Sequence, residues 1–188
     1  PLSVIEGEVN FNGVSTLLPM RRFSSLRANT RIIGNPFKSA IAMFVSEFLM
    51  RLLRESPADE TLWNFLAVSI ATLDATTEPA NFLPTFLSLL TRYTGIRPDT
   101  ADYHDGAVFD MREGRFAEFH PLHNDTVSGD EARVLLLLSR LSYRNYTLIR
   151  MSVESRRRIL NGLLHYYAVH FPGLERLRSP EILSGLFS

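Results

Sequence analysis

Between residues 36 and 90 apolar side chains recur at every third or fourth position, and this spacing predicts helices. Asn35-Pro36 supplies an N-cap and a proline at the first helical position, and Ile41, Phe44, Val45, Phe48, Leu49, Leu52 and Leu53 follow on one face. This helix is expected to end near Glu55. Ser56-Pro57-Ala58-Asp59 restarts a second, striped by Leu62, Phe65, Leu66, Ile70 and Leu73. A third is predicted from about Pro79 to Tyr93, carrying Phe82, Phe86, Leu89 and Leu90, with Gly95 as its stop. Helical spacing returns over about 130–141 and 152–171, where Gly173 ends it, and Ser179-Pro180-Glu181 opens a short last helix ending near Phe187.

Two stretches break this period. Residues 2–9 and 14–23 read as strands joined by Asn10-Phe11-Asn12-Gly13, and residues 24–35 read as irregular and basic. A lone two-stranded hairpin is marginal in water, so these strands are expected to belong to a larger sheet or to lean on the helices. Residues 96–128 form the second break, and within them 108–116 reads as a small hairpin with Gly114 in its turn. The fold class is mainly α: a bundle of about five or six helices with a small β insertion, preceded by a β remnant.

Length and composition narrow the picture. The 188 residues are 45% hydrophobic and 11% aromatic, enough for one domain, or one domain plus a fragment, with a real core. A charged fraction of 21% and a mean hydropathy of zero exclude a disordered tail, and apolar runs such as Val134–Leu138 are too short to span a bilayer. The absence of cysteine excludes disulfides, thiolate catalysis and Cys-based zinc sites. The chain opens without Met, in what reads as a strand, and its natural N-terminus is expected upstream.

Charge balances overall and not locally. Twenty basic residues cancel twenty acidic ones, and Lys38 is the only lysine among the basic ones. Residues 1–54 are net +4, 55–98 net −3, 99–131 net −7 and 132–188 net +6, so basic sections flank an acidic middle. A protein of zero net charge built this way still presents a basic face. Arg21, Arg22, Arg27, Arg31 and Lys38 crowd the junction between the strands and the first long helix, with Phe11 and Phe23 as possible stacking faces. Cations in a track suit phosphate, whose recognition needs no single geometry. The bland alternative is a solvated face. Arg156-Arg157-Arg158, supported by Arg144 and Arg150, form a second cluster. At about 100° per helical residue those three cannot share one ligand. Their bland role is an i,i+4 pair between Glu154 and Arg158.

No nucleophile elbow, phosphate loop or dinucleotide fingerprint occurs. His120-Pro121-Leu122-His123, near Asp102, His104 and Asp105, lacks the helical zinc spacing, and no metal site is expected. His165 and His170, beside Tyr166-Tyr167, are expected to pack and hydrogen-bond.

Several strings, taken in order, resemble the RecO family of bacterial DNA repair and recombination mediators, in the form common among Bacteroidetes. They are Lys38-Ser39-Ala40-Ile41-Ala42-Met43-Phe44 with Glu47, Leu53-Arg54-Glu55, Phe65-Leu66 with Leu73-Asp74, and Asn81-Phe82. Phe109 to Phe116, Tyr166-Tyr167 with His170, and Ser179-Pro180-Glu181-Ile182-Leu183 complete the match, which runs from about residue 1 to the end. The resemblance implies closing OB-fold strands over residues 1–35 and a helical domain over 36–188, with the insertion at about 96–128. It implies binding and annealing of single- and double-stranded DNA and help in recombinase loading, without covalent catalysis or a cofactor. It implies RecR and the C-terminal tail of single-stranded DNA-binding protein as partners, and a cytoplasmic, nucleoid-associated location away from membranes; the alternative is a protein-interaction module that docks that tail or RecR without itself binding DNA. The DNA-binding residues it favours are Arg21, Arg22, Arg27, Arg31, Lys38, Arg156 and Arg157. An acidic tail ending in Phe needs an apolar pocket beside cations, and Arg140, Arg144 and Tyr143, near Leu136, are the residues expected to build one. Some relatives carry a four-cysteine zinc site in the insertion; this chain has none, so a zinc requirement does not carry over.

Overall fold

A computed structural model describes residues 2–10, 20–54, 56–174 and 177, with the backbone alone for Arg27. Helix α2 spans Pro36–Leu52, and its Asn35 cap accepts the backbone N–H of Lys38 at 3.1 Å. Helix α3 spans Glu60–Ala75 and is capped by Asp59, whose Oδ1 accepts from Thr61 N at 2.8 Å and Leu62 N at 3.1 Å. Hydrogen bonds, first from the Thr61 hydroxyl and then from these amides, hold the Asp59 carboxyl below the usual carboxylate range. Helix α5 spans Gly129–Ser139, and α6 spans Val153–His170 behind a Ser152 cap that accepts from Ser155 N.

The third predicted helix is two pieces. A 3-10 turn at Pro79–Asn81 leads into α4, Phe82–Leu90, and Tyr93 lies in the turns beyond it. Every residue of α4 is buried. Phe82 and Phe86 stack at 6.0 Å, Phe65 of α3 stacks on Phe86 at 5.8 Å, and Phe48 of α2 meets the Tyr167 ring of α6 edge-on at 5.0 Å. The Tyr167 hydroxyl donates to Leu87 O at 2.9 Å and the Tyr166 hydroxyl to Ile96 O at 2.7 Å. Each buried phenol thus keeps a partner, and burial pushes Tyr166 up to about 12 and Tyr167 well above the ordinary range.

The insertion is a three-stranded sheet in the order β4-β3-β5, with β3 at Val108–Asp110, β4 at Arg115–Ala117 and β5 at Thr126–Val127. The expected hairpin is there, with Phe109 opposite Phe116. Strand β5 is an addition: its two residues are too short to show alternation, and it forms by pairing with Phe109 and Asp110. Gly114 turns the hairpin at φ +68°, and a Cβ there would stand 2.9 Å from the Tyr166 hydroxyl.

At the front, β1 (Val4–Val9) pairs antiparallel with β2 (Met20–Arg27). The second strand lies further along than the expected 14–23, and the expected connection and the start of that strand, residues 11–19, fall outside the described residues. The stretch 24–35, expected to be irregular, finishes β2 and forms a short helix α1 at Thr30–Ile33. Its cause is tertiary. Oδ1 of buried Asp74 accepts the N–H groups of Arg31 and Ile32, each at 3.0 Å, and Ile32 enters the core. The expected last helix at 179–187 also falls outside the described residues. Among the described residues no helix is long and apolar enough to cross a membrane.

Phe48→Ala is expected to lower stability by about 3–5 kcal/mol, read as a lower urea midpoint at unchanged slope. A loss below about 1 kcal/mol would mean that α2 and α6 do not share this core. Gly114→Ala is expected to cost about 1–2 kcal/mol through its positive φ and the contact with Tyr166; an unchanged midpoint would contradict that packing.

Candidate nucleic-acid interface

The first basic cluster divides in the structure. Arg21 and Arg22 lie exposed on β2, next to a register shift at which Arg22 takes φ +50°. Arg22 faces Glu8 at 3.4 Å, with both side chains largely in water, so the pair is worth little and leaves the guanidinium accessible. Phe23 is 68% exposed on the same strand. Arg27 holds the β2 position opposite Val4. Arg31 is exposed on α1, and its Nη1 reaches Ala75 O, at the end of α3, at 3.4 Å.

Lys38 is the correction. It is 5% exposed, and its ammonium donates to Asp74 O at 2.7 Å. Burial, partly offset by Asp74 and reinforced by Arg31, pulls its pKa below the ordinary lysine value. Lys38 therefore ties α2 to the end of α3 and is withdrawn from the surface.

The second cluster fans out as helical geometry requires. Arg156 is half-buried; its Nε donates to Asn81 Oδ1 at 3.1 Å and its Nη2 to Met151 O at 3.1 Å. Arg158 turns the other way, pairing with Glu154 at 3.0 Å and with Glu131 of α5. Arg157 points between them and is exposed. Desolvation lowers the Arg156 pKa below the ordinary arginine value, yet guanidinium remains charged at any working pH.

The two clusters are far apart in sequence, and one arginine of each touches the segment 75–81. Residues 75–81 are the bridge: Ala75 receives Arg31, Thr76 accepts the Tyr146 hydroxyl at 2.7 Å, and Asn81 receives Arg156. Asn81 also donates to Ile149 O at 2.6 Å. Beside it opens a cavity of about 860 Å³, lined among others by Asn81, Leu148, Ile149, Arg150, Ser152 and Arg156. Glu78 is the acidic member of that lining.

The expected partner residues separate too. Arg140 follows α5 and Arg144 lies in the next turn, and both are exposed. Tyr143 faces the core instead. Its ring stacks on Phe82 at 5.8 Å and Phe65 at 6.2 Å, and its hydroxyl donates to Ser69 Oγ at 2.8 Å. Burial pushes its phenol far above the ordinary value, so Tyr143 is a buttress beneath this surface. Sequence reading missed Arg92, whose Nη2 donates to Ser139 O at 2.7 Å and Leu141 O at 3.3 Å. It thereby joins Arg140 and Arg144 at the C-terminal end of α5, where cations favour the helix dipole. Nothing in its local sequence announced that contact.

The acidic insertion is built partly from its own carboxylates. Asp110 Oδ1 accepts from Arg112 N and Glu113 N to set the hairpin turn, and Oδ2 faces His123 at 3.4 Å. Asp125 receives Arg112 at 2.6 Å and His165 of α6 at 2.8 Å. Those hydrogen bonds, the Arg112 one foremost, hold its carboxyl below the usual range. His170 donates Nε2–H to Met111 O at 2.8 Å. Both C-terminal histidines thus fasten the insertion to α6, as their expected packing role requires. Among the described residues no three metal-ligating side chains gather at one point.

Residues 34–180 match the model of the family described as recombination protein O, C terminal. The DNA repair protein RecO of Bacteroides fragilis is 38% identical over the whole of this chain, which covers 78% of that protein. RecO of Phocaeicola vulgatus is 36% identical and that of Flavobacterium johnsoniae 31% identical, with the same coverage of both chains.

Lys38→Met leaves the Asp74 carbonyl without its donor and is expected to lower stability by about 1.5–3 kcal/mol. The salt dependence of oligonucleotide binding should not change. A shallower salt slope at unchanged stability would return Lys38 to the basic face.

Proposed function

We propose that this chain, which belongs to the RecO family of DNA repair and recombination proteins, holds single- and double-stranded DNA on the basic end of its bundle and lets complementary strands anneal. The observation that carries this reading is that Arg31 and Arg156 both anchor on the segment 75–81, while Arg21, Arg22, Arg150 and Arg157 are exposed. Cations from three elements on one end make a track rather than a point. A track lowers the repulsion between two phosphate backbones while leaving bases free to pair. Phe23 on β2 supplies an exposed ring on which an unpaired base can stack. No bond is made or broken in this work, and the reading carries with it a location at the bacterial nucleoid in the cytoplasm.

The exposed apolar residues of both front strands, Ile5, Val9, Met20 and Leu26, support reading β1 and β2 as part of a wider OB-type sheet that extends the track. A second reading concerns partners. Arg92 bonds the carbonyls at the end of α5, and exposed Arg140 and Arg144 follow that helix in the chain, a set of cations that suits an acidic tail such as that of single-stranded DNA-binding protein. RecR is the other partner this reading includes.

The triple variant Arg21→Ala, Arg22→Ala, Arg31→Ala is expected to bind a labelled single-stranded oligonucleotide at least tenfold more weakly at low salt. Its slope of log affinity against log salt should fall by about 2, since each phosphate contact on a single strand contributes about 0.7. Unchanged affinity and slope, with the fold intact, would move the DNA site off this surface.

A further inference from the structure

Helix α3 carries its buried face at Leu62, Phe65, Ser69 and Leu73. Trp63, the only tryptophan of the chain, stands about 100° away from that face and is 52% exposed. The core does not use it. It forms one side of a groove of about 590 Å³, walled by Leu53 at the end of α2, Pro57 in the connection, and Leu62 and Leu66 of α3. Met50, 69% exposed, lies one turn before Leu53 and continues the apolar surface along α2.

The groove has a sign. Its ionisable lining residues are Asp59 and Glu60, both carboxylates. Asp59 commits Oδ1 to the α3 cap and keeps its charge there. Glu60 is exposed and, among the described residues, has no ion pair. Arg54, also exposed, lies next to Leu53 and does not line the groove. Phosphate is therefore repelled from this surface. The groove opens at the N-terminal end of α3, whereas the basic end lies at its C-terminal residue Ala75. Sixteen helical residues put about 24 Å between them.

We propose that this groove docks a cationic, apolar segment of a partner protein: leucine- or phenylalanine-sized anchors seated against Trp63 and Leu66, with flanking Lys or Arg meeting Asp59 and Glu60. Large aromatic anchors in partly desolvated clefts dominate such interfaces, and complementary charge fixes their orientation. The proposal does not rest on the DNA reading. The two surfaces are of opposite charge, so both can be occupied together.

Trp63 is its own reporter. The intact chain is titrated with the peptide Lys-Leu-Arg-Lys-Leu-Leu-Lys, with its counterpart in which Glu replaces every cation, and with a single-stranded oligonucleotide, following tryptophan emission. The basic peptide should blue-shift the emission saturably and bind more weakly as salt rises. The acidic peptide and the oligonucleotide should leave the emission unchanged. Glu60→Lys should weaken the basic peptide roughly tenfold and Trp63→Ala, followed by peptide anisotropy, by tenfold or more, while oligonucleotide affinity stays as in the parent chain. Absence of the shift with the basic peptide, or an equal shift with the acidic one, overturns the proposal. A shift that grows with protein concentration alone also overturns it, in favour of a second copy of this chain.

Discussion

Helix α4 has no outward face. All nine of its residues are buried, including Thr85 and Ser88, so the helix exists only inside a shell that other elements complete. Helices α2, α3 and α6 supply Phe48, Phe65 and Tyr167 to that shell. The Tyr167 hydroxyl reaches in to take the Leu87 carbonyl, satisfying a polar group that water cannot reach. Residues 75–81 run directly into this helix, and through them α4 sets where Arg31 and Arg156 stand. The positions of Arg31 and Arg156 are thus a consequence of core packing, and a defect in the core reaches the surface by that route.

Charge is segregated along α6. Arg156 and Arg157 lie near its start, whereas His165 and His170 near its end grip the acidic insertion. Arg157 and His165 stand about 12 Å apart along the axis, beyond the screening length of about 8 Å at physiological ionic strength. The insertion's Asp125 is thus engaged toward the far end of α6, while Glu131 and Glu154 pair with Arg158 near its start. Zero net charge conceals an uneven distribution in which basic sections flank an acidic middle.

Much of this was legible because it is local. Asn35 caps the helix it was expected to cap, and Gly114 turns the hairpin assigned to it, whereas α3 starts at Glu60 behind Asp59, later than the expected restart at Ser56-Pro57. The Glu154–Arg158 pair is likewise an i,i+4 property of one helix. What sequence reading missed is held by distant partners. Helix α1 and the inward turn of Lys38 both depend on Asp74, which is some forty positions away. Tyr143 looked like a pocket wall because nothing nearby shows that Phe65, Ser69 and Phe82 surround it. Arg92 joins the α5 terminus through carbonyls nearly fifty residues later. Clustered arginines are visible in the sequence, and tertiary contacts decide which of them face outward.

The most direct test of where DNA lies is photo-crosslinking of a base-substituted single-stranded oligonucleotide to the intact chain, with crosslinked peptides mapped by mass spectrometry. Crosslinks confined to residues 20–33 and to the segment from Arg150 to Arg157, with none on 99–125 or around Trp63, are the expected result. Crosslinks centred on the acidic insertion or on the α2–α3 groove would contradict the account.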